Sequence, residues 1–195
     1  MIPQIPINCN GKDLISDPVS IGFQKGNIYI YDDINRDTAK SICSSIRYLN
    51  GSGIENVNIY INSPGGSISD GFAIYDALKA SDFEVSVIVE GMAASMAAFI
   101  VACAGTKGKR YSMPNAQIMI HQPLGGISGQ TTDIRIFAEH IVETKNKLNR
   151  ILSEATGKSI SEIEVDTERD TWLTAEQALE YGIIDKIIYS YKELD

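Results

Sequence analysis

Three residues of this 195-residue chain have types that could jointly carry out nucleophilic chemistry: Ser95, His121 and Asp170. A serine hydroxyl attacks a carbonyl efficiently when an imidazole takes its proton. The imidazole in turn needs a carboxylate to hold its tautomer and stabilise its charge. With only two histidines in the chain, such chemistry must run through His121 or His140. Each candidate also has a plain structural explanation. Ser95 could belong to a small-residue stripe, with Gly91 and Ala98, that lets a helix pack closely. His121 could be a strand-end histidine bonded to backbone. Asp170, within Glu168-Arg169-Asp170 and just ahead of Trp172, could sit in a solvated charge cluster. Singly, these explanations are strong. Together the three residues fall at the ends of different elements, in the order Ser, His, Asp, and that raises the case for acyl transfer.

A fourth feature is Ser63-Pro64-Gly65-Gly66. Two glycines between a strand and a helix allow close backbone approach and exposed N–H groups, as an oxyanion hole or anion nest requires. A simple strand-to-helix turn would use the same residues. A phosphate-binding loop is disfavoured, because no Gly-x-Gly-x-x-Gly and no Lys-Ser/Thr follows the glycines. The serine also lacks the Gly-x-Ser-x-Gly elbow of the α/β hydrolases. His140, flanked by Glu139 and Glu143, reads as a partly exposed structural residue. No His/Cys/Asp cluster has metal-ligand spacing, so neither a metal nor a cofactor is expected.

The elements that must position these residues follow from the hydrophobic pattern. Asn27 to Tyr31 reads as a strand, and Asp37 to Leu49 as a helix with Ala39, Ile42, Cys43 and Ile46 at helical spacing. Val57 to Ile61 is a second strand that runs into the glycines and then a helix from Ser69 to Ala80. Val85 to Val89 is a third strand. The uncharged stretch Gly91 to Gly105 behind it reads as a buried helix containing Ser95 near its start, where backbone N–H groups suit a developing oxyanion. Gln117 to Ile120 is a fourth strand ending at His121, at the carboxyl edge where open α/β sheets place their sites. Strands alternating with helices indicate an α/β domain with a largely parallel, buried sheet.

Beyond His121 the pattern changes. Pro123 to Gln130 is glycine-rich and irregular. Thr131 to Ala155 reads as one helix with Ile134, Phe137, Ile141, Leu148, Ile151 and Leu152 on one side and charge on the other. A helix of that length spans roughly 37 Å. It is expected to project, as an arm or an oligomer contact. The tail adds a helix from Thr174 to Tyr181 and a last strand from Ile183 to Tyr189.

Composition bounds the function. A single domain is expected over residues 1–195, burying roughly 70% of its unfolded surface. The 17 basic and 25 acidic residues give a net charge of -8, which disfavours a general nucleic-acid binder. The opening MIPQIPINCN has no signal-peptide pattern, and Cys9, Cys43 and Cys103 are expected as unpaired thiols in a reducing cytoplasm. Gly91 to Gly105 is too short to span a bilayer, so no membrane partner is expected.

Longer motifs now become informative. The runs YINSPGGSISDGFAIYDAL, GMAASMAAFIVACAGTKGKRYSMPNAQIMIHQPLGG, GQTTDI and DTERDTWLTAEQALEYGIID resemble, in order, the Clp protease proteolytic subunit, a self-compartmentalising serine peptidase. The resemblance covers about residues 27 to 190. It implies the α/β fold shared by Clp protease and crotonase, built of repeated ββα units with a projecting handle helix (about residues 123–156). By the same resemblance Ser95 is the nucleophile, His121 the general base and then acid, and Asp170 the orienting carboxylate. The backbone N–H groups of Gly66 and Met96 would form the oxyanion hole. Pro123, Leu124, Gly125 and Gly126 would bind substrate, with Leu124 to Gly129 as an extended strand beside it. The implied assembly is a homo-oligomer of two stacked seven-membered rings, or mixed rings with a paralogue, with Arg169 near the ring-to-ring contact. An AAA+ unfoldase would feed it polypeptides and would itself use the ATP.

Two departures accompany the resemblance. Residues 1–26 form a divergent N-terminal segment: NGKDLISDPVSIGF has no counterpart of the family's axial-pore motif. Asn58 stands where the family often has an aromatic residue lining the unfoldase docking pocket, although Tyr60 and Tyr111 remain. The alternatives are a catalytically silent ring subunit, which would normally lack a triad member, and a crotonase-type acyl-CoA hydratase or isomerase, which would use carboxylates for proton transfer.

Overall fold

Strands and helices alternate because the apolar residues switch between the period of a strand and that of a helix. The computed structural model describes residues 3–9 and 11–194. A hairpin of β1 (Ile5–Cys9) and β2 (Lys12–Ser16) and a short helix α1 (Pro18–Gln24) come first. β3 (Asn27–Ile30), α2 (Arg36–Asn50), β4 (Asn56–Ser63), α3 (Ile68–Lys79), β5 (Glu84–Ala94) and α4 (Met96–Ala104) follow. Then come β6 (Arg110–Ser112), β7 (Gln117–Ile120) and the long α5 (Thr131–Thr156). Last are α6 (Ile160–Asp166), β8 (Thr171–Thr174), α7 (Ala175–Tyr181), β9 (Lys186–Ile187) and a 3₁₀ turn at Tyr191–Glu193.

The main path of the sheet runs β3-β4-β5-β6-β9 and is parallel throughout. This is the expected α/β architecture with a mostly parallel sheet. Val57, Ile59 and Ile61 of β4 alternate into the core, whereas Val85 to Val89 of β5 are buried without a break. Such a run needs cover on both faces. One face is packed by helices, and on the other Ile88 meets Tyr111 and Ile188 in a small second cluster. Helix α2 starts at a reciprocal Asn35–Thr38 capping box and buries Ala39, Ile42, Cys43, Ile46 and Leu49 along one stripe. Cys43 and Cys103 are free and buried, and burial pushes the Cys103 thiol up to about 12, which keeps it protonated and inert. The side chain of Cys9 lies outside what is described.

Three sequence expectations change. The stretch Gly91 to Gly105 is not all helix. Met92 to Ala94 continue β5 and pair with Gln117 to Met119 of β7, so only Met96–Ala104 is helical. The turn at Gly91 (φ 78°) makes this continuation possible, and the Met92 N–H donates there to Asn62 Oδ1. Gly91 and Ser95 therefore never share a helix face, and the small-residue stripe does not exist. The last strand is only Lys186–Ile187, because Ile183 and Ile184 belong to the turn after α7, where both N–H groups bond to the Ala178 carbonyl. The hairpin, α1, β6, α6 and β8 add to the elements read from periodicity.

Helix α5 matches its expected span. Its only buried residues are Asn149 and Leu152, and Ile134, Ile136 and Val142 are exposed in the single chain. His140 is likewise exposed. No helix among the described residues is long and apolar enough to cross a membrane.

Candidate active site

Two strand registers bring Ser95, His121 and Asp170 together. In the parallel pair of β5 and β7, Ala94 lies opposite Met119, and the Ser95 N–H donates to the Met119 carbonyl at 2.8 Å. In the antiparallel pair of β7 and β8, Ile120 lies opposite Thr171. One further step of that register sets His121 beside Asp170. As a result Ser95 Oγ is 2.8 Å from His121 Nε2, and His121 Nδ1 is 3.0 Å from Asp170 Oδ1. Opposite an ionised Asp170, Nδ1 carries the proton, and Nε2 is left to accept from the serine hydroxyl. The His121 side chain is 13% exposed and that of Asp170 62%.

Ser95 sits at the N-cap of α4 with φ 55° and ψ −121°, and makes no side-chain capping bond. Among the described residues it is the only non-glycine with positive φ. Such a conformation costs on the order of 1–3 kcal/mol. It turns the hydroxyl away from the helix and towards His121. The strained turn is locked by its neighbour: a Cβ on Gly65 would lie 2.4 Å from the Ala94 carbonyl oxygen and 2.9 Å from the Met96 nitrogen. Only glycine fits there.

The glycine pair is held against the segment after β3. Ile34 N–H donates to the Gly65 carbonyl and Ser67 N–H to the Ile34 carbonyl, each at 2.7 Å. This bridge leaves the Gly66 N–H outside it. Met96 opens α4, so its N–H is one of those a helix cannot pair internally. Gly66 and Met96 line the same cavity as Ser95. Two further positioning residues escaped the sequence reading. Buried Ser63 donates to the Asp32 carbonyl at 2.7 Å and accepts from the Gly65 N–H at 3.1 Å, which fixes the start of the turn. Gln122 ties the end of β7 to the segment carrying Asp170, through its N–H to the Thr167 carbonyl and its side-chain amide to the Glu168 carbonyl. The only sequence signals were adjacency: Ser63 precedes the glycines and Gln122 follows the histidine.

Of the expected substrate-binding residues, Pro123 and Leu124 line the cavity beside Ser95, and Gly125 and Gly126 do not. Gly125 instead packs near Ile141 of α5, whose Cδ1 would be 2.8 Å from an added Cβ. Residues 121–130 form no strand in the single chain. Arg169 stays at the surface, bonded to the carbonyl and carboxylate of Glu168.

The cavity has a volume of about 300 Å³ and is mostly apolar, with Ile68, Phe99, Leu148 and Leu152 in its walls. A serine hydroxyl hydrogen-bonded to an imidazole, beside an apolar recess, is an arrangement that could attack a carbonyl whose neighbouring side chain enters the recess. No group of three or more potential metal ligands occurs among the described residues.

The sequence pattern described as Clp protease matches residues 10–191, which takes the likeness ahead of the span of about residues 27 to 190 that carries the resemblance, and into the segment read as divergent. With nearly its whole length matched, the chain belongs to the Clp protease family, a family of peptidases.

Proposed function

We propose that this chain is a serine endopeptidase that cleaves unfolded polypeptides, with Ser95, His121 and Asp170 as its catalytic residues. The observation that carries the reading is the continuous hydrogen-bonded path from Ser95 Oγ through His121 to Asp170, at the mouth of an apolar cavity. Ser95 Oγ attacks the peptide carbonyl while its proton passes to His121 Nε2. The carbonyl oxygen gains the negative charge and is held by the N–H groups of Gly66 and Met96. The C–N bond then breaks as His121 returns the proton to the leaving amine, and an ester to Ser95 remains. Water, deprotonated by His121, attacks that ester, and the acid product leaves with Ser95 re-protonated. Asp170 keeps the imidazole in the correct tautomer and stays ionised throughout.

The broader setting belongs to the same proposal. The chain acts as one domain whose 123–156 region is a handle for self-association in paired seven-membered rings, homomeric or mixed with a paralogue. The exposed Ile134, Ile136 and Val142 of α5 support such a contact. An AAA+ unfoldase in the cytoplasm would deliver substrates and consume the ATP, and the chain itself needs no cofactor. Its docking would use Tyr60, which stacks on Tyr29; Tyr111 is buried, and Asn58 is engaged with Asn27.

The decisive experiment is labelling with a fluorophosphonate. Label should attach to Ser95 and be absent from Ser95→Ala, with hydrolysis of small fluorogenic peptides lost in parallel. Labelling of the alanine variant, or unchanged hydrolysis by it, would overturn the assignment. Sizing with negative-stain imaging should show about 14 subunits in a closed assembly, and a stable monomer would remove the ring proposal.

A further inference from the structure

Of the polar side chains in the cavity beside Ser95 that the mechanism does not use, Gln122 and Thr167 are hydrogen-bonded to backbone carbonyls, and Asn149 is the one with an unpaired amide. Asn149 on α5 lines the cavity together with Leu148 and Leu152. The residue is 3% exposed, and its amide nitrogen has no hydrogen-bond partner among the described residues. Buried amides are almost always paired, so an orphan in a ligand-sized recess points to a partner that arrives with the ligand. We infer that Asn149 is a specificity-determining residue: it selects substrates whose side chain, next to the attacked carbonyl, has an apolar body and a hydrogen-bond acceptor at its tip. Glutamine and methionine are the coded side chains of this class. The inference rests on the peptidase reading above.

The physical reason is what substrate binding does to the amide. A side chain that fills the recess excludes water from it. The Asn149 nitrogen is already shielded from solvent and unpaired, so a purely apolar occupant keeps it so, whereas an acceptor supplies the missing bond. The apolar walls of Phe99, Leu148 and Leu152 reward the body of either side chain alike, so the tip decides between them. A glutamine tip pairs its carbonyl with the Asn149 N–H and can turn its own N–H towards Asn149 Oδ1. A methionine sulfur is a weaker acceptor and should show a smaller effect. Groups built to hydrogen-bond a ligand discriminate more sharply than pockets that only measure size.

The test uses fluorogenic peptides identical except at that residue: glutamine, methionine or norleucine, the last a methionine shape with methylene in place of sulfur. In the full-length protein, Asn149→Leu should lower the glutamine-to-norleucine ratio of kcat/KM at least about tenfold, and the methionine-to-norleucine ratio by less. Because the readout is a ratio, a general loss of activity does not mimic it. Asn149→Asp keeps the shape and exchanges the donor for a carboxylate oxygen. Glutamine can still pair through its own N–H, whereas methionine has no donor, so this variant should lower the methionine-to-norleucine ratio and raise cleavage after lysine relative to norleucine. Unchanged ratios in variants that still label at Ser95 overturn the inference and leave the peptidase reading standing. A wild-type chain that cleaves none of the peptides and resists the fluorophosphonate defeats both.

Discussion

Asp170 is held beside His121 by strand pairing and hardly at all by burial. The Nδ1–Oδ1 distance is 3.0 Å although the aspartate side chain is 62% exposed. The restraint comes from Ile120 opposite Thr171, and from Gln122 bonded to the carbonyls of Thr167 and Glu168 on the incoming side. The backbone thus fixes the carboxylate before the side chain makes any contact.

Asp170→Asn separates those two contributions. The pairing of β7 with β8 should survive, so melting should move by no more than about 4 °C, as expected for losing an exposed pair worth about 1 kcal/mol. Peptide hydrolysis should fall about 10³- to 10⁴-fold, because an amide can donate to Nδ1 and favour the wrong tautomer. Thermal melts and kcat on one fluorogenic peptide check both halves. A large melting shift would mean that the carboxylate, and not the ladder, holds this corner together.

Gly65 sets the geometry of the nucleophile from outside its own element. Gly65→Ala places a methyl 2.4 Å from the Ala94 carbonyl oxygen at a residue whose φ is 88°. Backbone must move, and the nearest backbone is the Ser95 turn. The expected result is a destabilisation of about 2 kcal/mol or more with fluorophosphonate labelling slowed at least about 100-fold. Gly53→Ala is the control. It also has positive φ, but a Cβ there meets nothing within 4 Å, so it should cost stability without touching the labelling rate.

How much of this was visible in the sequence depends on which force decided each feature. Helix α2, β4 and the start of β5 were legible because their apolar periodicity and their packing agree: Ala39, Ile42, Cys43 and Ile46 were named from spacing and are all buried. The far half of β5 was not legible. Met92, Ala93 and Ala94 are better helix formers than strand formers, and they extend because the edge of β7 supplies hydrogen bonds there. Similarly, β8 is only four residues long and owes its conformation to pairing with β7. At the site, the three residue types were readable and their convergence was not, since it depends on two registers between strands far apart in the chain. Asn149 was invisible for another reason: a polar residue at an apolar helix position looks like surface until the cavity next to it is known.

The backbone strain at Ser95 gives a prediction of opposite sign for stability and function. At φ 55° a side chain is disfavoured, and glycine removes that penalty while adding some freedom to the unfolded chain. Ser95→Gly should therefore melt about 2–4 °C higher than Ser95→Ala, corresponding to about 1 kcal/mol for a chain of this size. Both variants should be inactive. Equal melting temperatures would argue that the turn is unstrained.

The acid sensitivity of the fold should centre on Asp185, which sits in the turn between α7 and β9 and receives three hydrogen bonds from Arg110. Its Oδ2 accepts from the Arg110 backbone N–H at 3.0 Å and from Nε at 2.8 Å, and its Oδ1 accepts from Nη2 at 2.5 Å. Arg110 in turn donates to the carbonyls of Ala102 and Ala155, so this one pair joins α4, α5, β6 and the approach to β9. Burial alone would raise the Asp185 carboxyl, but the hydrogen bonds and charge of Arg110 outweigh it and hold the group below its ordinary value of 3.8. A carboxyl lowered in the folded state binds protons less readily than in the unfolded chain. Its stabilisation is complete above the unfolded value and disappears as pH falls through the folded one. Melting temperature should thus decline as pH drops below about 4. Asp185→Asn should lose about 3–5 kcal/mol at neutral pH, because Arg110 is left buried without its counter-charge, and its melting temperature should fall less steeply in acid. Some slope will remain, since the helix-capping carboxylates Asp17 and Glu162 are also lowered, by hydrogen bonds from Ser20 and Ser159 respectively. Parallel acid-side slopes in the two proteins would show that the Arg110–Asp185 pair does not govern acid unfolding.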